Sequence, residues 1–433
     1  MQTPAVLETP REAADRAFQD RIVDNAMMQR VHEARERGLY PYYAEQVPVG
    51  SNHVEIDGRR LLQLGSSNYL GLAADRRVWE RVVSAVAENG TSCTSSRLLT
   101  GTRPLHHRLE RRLAAFLGKP AALVFPTGYL ANIGAIPALV GRHDAVFYDA
   151  DAHACVYDGV VLSGATAHRF RHNDVDHLDE LLAKSAAPRK LIVIDSLYSL
   201  NGDLAPLAEM VEVGDRHGAW IFLDDAHGIG VLGPGGRGLS AACEVTDRVP
   251  VIMGVFSKSF ASTGGFIAGS ADLIDHLRFN ARSYLFSNAI APAQAAAALA
   301  SLEILEAEPD LPRRALDLAE RARGRLRAMG WRCGGDGSQM VPIIIGDVML
   351  AFRVTHALRD RGVNVSPAVW PGVPKGKDLL RIGFPPSLSE AEFEQALLAF
   401  AKVAEAIPEA RLADESRLPL RSMMTRCTTV ILL

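Results

Sequence analysis

The chain is short of cysteine, of excess charge and of long apolar runs, and each shortage closes off a class of protein. Its five cysteines (Cys93, Cys155, Cys243, Cys333 and Cys427) fall at no paired spacing among 433 residues. That is neither a disulfide framework nor a zinc or other metal site, and a reducing compartment such as the cytoplasm is expected. Lys plus Arg number 47 against 50 Asp plus Glu, a net charge of −3. Nucleic acid and anionic membranes are therefore not expected partners. No apolar stretch approaches the roughly 18 residues of a membrane span. The closing Thr429-Val430-Ile431-Leu432-Leu433 is far too short and is expected to dock elsewhere in the assembly. The first residues lack the basic-then-apolar order of a signal peptide, so none is expected.

What is there is 48% hydrophobic and 22% charged, ordinary for a globular enzyme, and long enough for two or three lobes. Residues 11–37, rich in Ala, Glu, Arg and Met, read as one amphipathic leading helix in a scaffold or dimer contact. Residues 54–62 read as a hairpin turning at Asp57-Gly58. Short apolar runs at 122–125, 145–148, 191–195, 220–224, 251–254 and 265–268 alternate with helical stretches. Such alternation predicts a mostly parallel sheet buried on both faces. A helix over 291–307 then leads to a smaller lobe with strands at 341–345 and 379–383. The expected organisation is an amino-terminal segment (1–65), a large domain (66–307), a small carboxyl-terminal domain (308–408) and a tail (409–433).

In such a sheet, ligands bind beyond the carboxyl ends of the strands, and two chemistry-bearing motifs fall there. Phe222-Leu223-Asp224-Asp225-Ala226-His227-Gly228 ends a predicted strand on an acid, with a histidine three positions on. Val255-Phe256-Ser257-Lys258-Ser259-Phe260 sets a lysine among small and hydroxyl residues just past the next strand. An amine that can form an imine, a carboxylate that keeps a ring nitrogen protonated and a donor near a ring oxygen suit a pyridine-ring cofactor. The trio points to pyridoxal 5′-phosphate (PLP). Further segments join it. Asn68 sits in a polar turn, Thr127-Gly128-Tyr129 offers helix-terminal amides to a phosphate, and His153 could lie on a ring face. Arg381 could grip a carboxylate bidentately. Plainer roles exist: Asp224 as a helix cap, Asn68 and Ser199 as turn formers, Arg381 as a salt-bridge partner. Arg97, His106 and Glu110 read as supports of a helix start or subunit interface, and the cysteines as core packing.

The order and spacing of Asp224-Asp225-Ala226-His227-Gly228, Ser257-Lys258-Ser259-Phe260-Ala261-Ser262 with Gly264-Gly265, and Tyr284-Leu285-Phe286-Ser287-Asn288 resemble the α-oxoamine synthase family. The resemblance runs from about 66 to 381, and the lysine segment is most similar to the serine palmitoyltransferase branch. It implies an α/β fold-type-I PLP-dependent transferase, with a mostly parallel central sheet in a large domain and a smaller carboxyl-terminal α+β domain. The activity implied is that of a PLP-dependent acyltransferase. An amino acid (Ser, Gly or Ala) condenses with an acyl thioester of CoA or a carrier protein, giving an α-amino ketone, CO2 and free thiol. Lys258 would hold the cofactor covalently, Asp224 would pair with the ring nitrogen, and His227 and Ser199 would lie near the ring oxygen. His153 would stack on the ring, Gly128 and Tyr129 would bind the phosphate, and Asn68 and Arg381 would bind the amino-acid carboxylate. Ser287 would reach the phosphate from a neighbouring subunit, implying a homodimer with shared active sites.

Four positions depart from the family pattern. Val255 stands where a phosphate-binding threonine is usual, with Ser257, Ser262 or Ser287 as candidate substitutes. Asp195 stands for glutamate, Ser95 for glycine and Cys155 for serine. An aminotransferase or retro-aldol type enzyme on the same fold and a non-catalytic partner subunit are the competing readings; the retained Lys258, Asp224 and His227 argue against the second.

Overall fold

The computed structural model describes residues 9–23, 26–370 and 372–411; the apolar end at 429–433 and Cys427 lie outside them. Its central sheet has seven strands: β1 (Ala121–Phe125), β2 (Ala145–Asp149), β3 (Thr166–Phe170), β4 (Lys190–Asp195), β5 (Trp220–Asp224), β6 (Val251–Val255) and β7 (Gly265–Gly269). Their spatial order is β1-β7-β6-β5-β4-β2-β3. Only β7 runs antiparallel to its neighbours; the other pairs are parallel. The predicted runs are therefore strands of a mostly parallel sheet.

Alternate residues of each strand feed two cores. Leu123, Val146, Val193 and Phe222 pack on one face, and Val124, Phe147, Ile192 and Leu223 on the other. Full burial of such a side chain contributes about 1.5–3 kcal/mol, so a two-sided sheet selects continuous apolar runs. Strand β3 escaped the sequence reading because it lies at the sheet edge. Of Thr166-Ala167-His168-Arg169-Phe170 only Phe170 is buried, and polar edges deter unwanted pairing.

The carboxyl-terminal lobe carries β8 (Met340–Ile344), β9 (Ser366–Ala368) and β10 (Leu379–Gly383), antiparallel in the order β8-β10-β9. The hairpin of His53–Ile56 with Arg59–Gln63 turns through Asp57 (φ 50°) and Gly58 (φ 71°), the left-handed pair that a two-residue turn favours. Leu62 and Leu64 enter the carboxyl-terminal core, and Leu62 pairs with Val363. In the leading segment Pro10–Val23 and Ala26–Glu36 are helical, and residues 24–25 between them lie outside the described residues. Ala34 of the second is buried, whereas Phe18 and Ile22 of the first are exposed.

Register creates the site. Phe125 and Val255 both pair with Gly265, Met253 pairs with Asp224, and Asp224 pairs with Asp195. All these residues therefore end at one edge of the sheet.

Candidate active site

At that edge opens a cavity of about 280 Å³ lined by Gly128, Tyr129, His153, Asp224, His227 and Lys258, among others. Six predicted site residues are thus brought together. Ser199, Ser287, Asn68 and Arg381 are not in its lining. Arg381 donates to Ser67 Oγ at 2.9 Å, and Asn68 Oδ1 accepts from Ala73 N at 3.3 Å. Ser287 lies beside the bridge between Ser96 and Asn288, and Ser199 follows buried Tyr198.

The Lys258 amine forms neither an ion pair nor a hydrogen bond among the described residues. Burial depresses its pKa to about 8, against the pull of the Asp224 charge and with help from Arg381. Asp224 is held by two donors, Asn132 Nδ2 at 2.6 Å and Ala226 N at 3.1 Å. Neighbouring Asp225 turns away and accepts from Leu239 N at 2.9 Å. Of the two adjacent acids, only Asp224 faces the cavity. Burial, with the Lys258 and Arg381 cations nearby, pushes the pKa of His227 far down, so its ring is neutral. The Tyr69 hydroxyl lies 2.8 Å from His227 Nδ1.

Helix Gly128–Leu139 begins at the cavity. Thr127 caps it by accepting from Leu130 N at 3.1 Å. The first-turn amides of Gly128 and Tyr129 have no carbonyl partner within the helix, as at any helix start. A Cβ on Gly128 would meet Val255 Cγ1 at 2.2 Å and Met253 Cε at 3.0 Å, so only glycine lets this turn lie against β6. The aliphatic hydroxyls lining the cavity belong to Thr127, Ser257 and Thr263. Ser262 is committed elsewhere, donating to the Gln294 carbonyl at 2.7 Å.

These groups fit PLP. The fit rests on an unpartnered amine, a fixed carboxylate, and paired amides with hydroxyls suited to a dianionic phosphate.

Arg97 and Glu110 form a buried bidentate pair at 2.8 and 3.0 Å. His106 Nδ1 accepts from Arg103 N at 3.1 Å, closing the start of helix Pro104–Leu117. Three contributors escaped the sequence reading. Asn132 was legible in principle as a polar residue inside an apolar helix; Tyr69 and Thr263 offered no such signal. His172 was missed as well. It bridges Asp149 (2.9 Å) and Asp203 (3.4 Å) beneath the loop that carries His153. Burial alone would lower its pKa, but those two carboxylates overcome it and push the value up to about 10. A raised folded-state value stabilises fully below the unfolded pKa near 6.5 and is lost as pH rises through about 10. His172→Gln should therefore cost about 3 kcal/mol at neutral pH, with the gap to wild type closing above pH 10. Denaturant melts across pH would show it; a pH-independent gap would contradict the assignment.

This fold and this site define a PLP-dependent transferase, and residues 59–400 match the family model for aminotransferase class I and II. A serine palmitoyltransferase of Sphingobacterium spiritivorum is 39% identical over 374 residues, spanning 86% of this chain and 94% of that one. An 8-amino-7-oxononanoate synthase of Anaeromyxobacter sp. (strain K) is 42% identical over 86% of this chain and 93% of its own length. Among solved structures, the serine palmitoyltransferase of S. paucimobilis with a bound PLP–myriocin aldimine matches with a TM-score of 0.86. That match has 33% identity and covers 89% of this chain and 98% of that one. The chain belongs to the α-oxoamine synthase family of PLP-dependent acyltransferases.

Proposed function

We propose that this enzyme condenses a small amino acid (serine, glycine or alanine) with an acyl thioester of CoA or a carrier protein. The products are an α-amino ketone, CO2 and the free thiol. The observation that carries the reading is the unpartnered, pKa-depressed Lys258 sharing one cavity with the doubly held Asp224.

When bound, PLP supplies an electron sink for the charge left at the amino acid's α-carbon. Lys258 Nζ holds the cofactor before substrate arrives and afterwards takes the α-proton; a pKa near 8 leaves part of it neutral at working pH. Asp224, its charge kept out of water, holds a proton on the ring nitrogen. His227 and Ser199 are assigned to the ring oxygen, and His153 to the ring face. Arg381 and Asn68 are assigned to the substrate carboxylate, Arg381 exchanging its Ser67 contact for it. Gly128 and Tyr129 bind the phosphate through backbone amides, assisted by Ser257 and Thr263.

We further propose a homodimer in which Ser287 of one subunit completes the phosphate site of the other. Supporting it, Leu98, Leu99 and Phe286 are exposed, on segments joined by the Ser96–Asn288 bridge. A chain that sediments as a monomer while fully active would end that part. The cytoplasm is the proposed location; no described helix is long and apolar enough to cross a membrane.

The test uses carboxyl-labelled amino acid and an acyl thioester. Labelled CO2 and free thiol should appear in equal amounts; a product that keeps the label would indicate transamination instead. Val255 offers a second check. Val255→Thr places a hydroxyl on the cavity wall and should tighten PLP by about tenfold, the worth of one net hydrogen bond. Unchanged affinity in a fluorescence titration would remove position 255 from the phosphate site.

A further inference from the structure

Asp224, Cys155 and His153 line the cavity, and Asn132 behind them joins all three into a continuous chain of contacts. Asn132, fully buried, places Nδ2 2.6 Å from Asp224 Oδ2 and 3.0 Å from Cys155 Sγ. A carboxylate only accepts hydrogen bonds, so the amide nitrogen, not the oxygen, must face Asp224. Its two hydrogens are then spent, one on the carboxylate and one on the sulfur. Cys155 Sγ also lies 2.8 Å from His153 Nδ1. Since the sulfur accepts from Asn132, the thiol hydrogen is free to go to that nitrogen. The backbone amide of Cys155 donates to the same Nδ1 at 3.3 Å. A ring nitrogen that receives donors carries no proton of its own.

We propose that Cys155 is a positioning residue whose buried S–H donates to His153 Nδ1 and fixes the ring as the tautomer protonated on Nε2. The free N–H of His153 is then available to an anionic oxygen of the substrate, and the orientation of the ring is tied through Asn132 to Asp224. The second anchor is Asp195, whose Oδ2 accepts from His153 N at 3.3 Å. Burial raises the pKa of the Cys155 thiol and lowers that of His153, so both groups are neutral, as the bond requires. Serine has the same one donor and can make the same pair of bonds. Alanine can make neither. The effect on turnover rests on the PLP reading of the site; the hydrogen bond does not.

The experiment is infrared spectroscopy of the S–H stretch on the full-length chain, with and without PLP. Subtraction of the Cys155→Ala spectrum isolates the Cys155 band. It should lie below the frequency of an unbonded thiol and move up in His153→Asn. A band at the unbonded position, no band, or no response to His153→Asn overturns the bond. With both substrates, Cys155→Ala should lower kcat by about tenfold, one net hydrogen bond, leaving KM for the acyl thioester unchanged, and Cys155→Ser should restore it. Normal turnover in Cys155→Ala beside a displaced band overturns the positioning role. A displaced band in a chain that takes up no PLP overturns the reading of the site instead.

Discussion

Lys258→Ala should reduce turnover by a factor on the order of 10⁴ or more, as loss of a group acting both covalently and as a base does. Neighbours cannot take over, because among the described residues no other lysine lines the cavity. PLP should still bind through the phosphate amides, without the visible absorbance of lysine-bound cofactor. The same substitution carries a stability signature in the cofactor-free chain. Lys258 titrates near 8 when folded against 10.5 for an ordinary lysine. Between those values the unfolded chain binds the extra proton, so wild-type stability rises with pH across that window. Below about pH 8 the buried amine is charged and its desolvation cost is fully present. Wild type should therefore gain stability relative to Lys258→Ala as pH climbs from 8 towards 10.5. Parallel stability curves for the two proteins would show that the amine is not buried as described.

Asp224→Asn should cost on the order of 10²–10³ in kcat, comparable to removal of a preorganised electrostatic group. Asp224 is only 5% exposed, so water cannot replace its charge at the position proposed to face the ring nitrogen. The amide keeps the shape but not the acceptor pattern. One carboxylate oxygen now accepts from Asn132 Nδ2 and the other from Ala226 N. An asparagine can satisfy only one of these, leaving its own N–H2 facing a donor. The variant should therefore be less stable as well as slower. An Asp224→Asn enzyme with wild-type kcat would take the acid out of the reaction.

Much of this was readable from residue order. The apolar runs of the sheet are continuous because both faces are buried, so β1, β2, β4, β5, β6 and β7 announced themselves to within a residue at each end. The trio of Lys258, Asp224 and His227 was readable because strand ends in a parallel sheet share one edge. Edge strand β3 was hidden because its side chains answer to solvent. The partners of Asn132 and His172, Asp224 and Asp203, lie far along the chain and meet them only through packing, so neither contact could be read from residue order. Ser262 shows the converse: its motif position suggested a phosphate ligand, but its hydroxyl is spent on Gln294. The departures at Cys155 and Asp195 were visible as letters, yet their joint hold on His153 needs the fold.

The most direct measurement is borohydride reduction of the PLP-loaded enzyme followed by mass mapping of the modified peptide. The pyridoxyl mass should sit on Lys258 and nowhere else, and should be lost when amino acid is added before reduction. Modification of a different lysine, or none on an enzyme that still releases CO2 and thiol, would contradict the account.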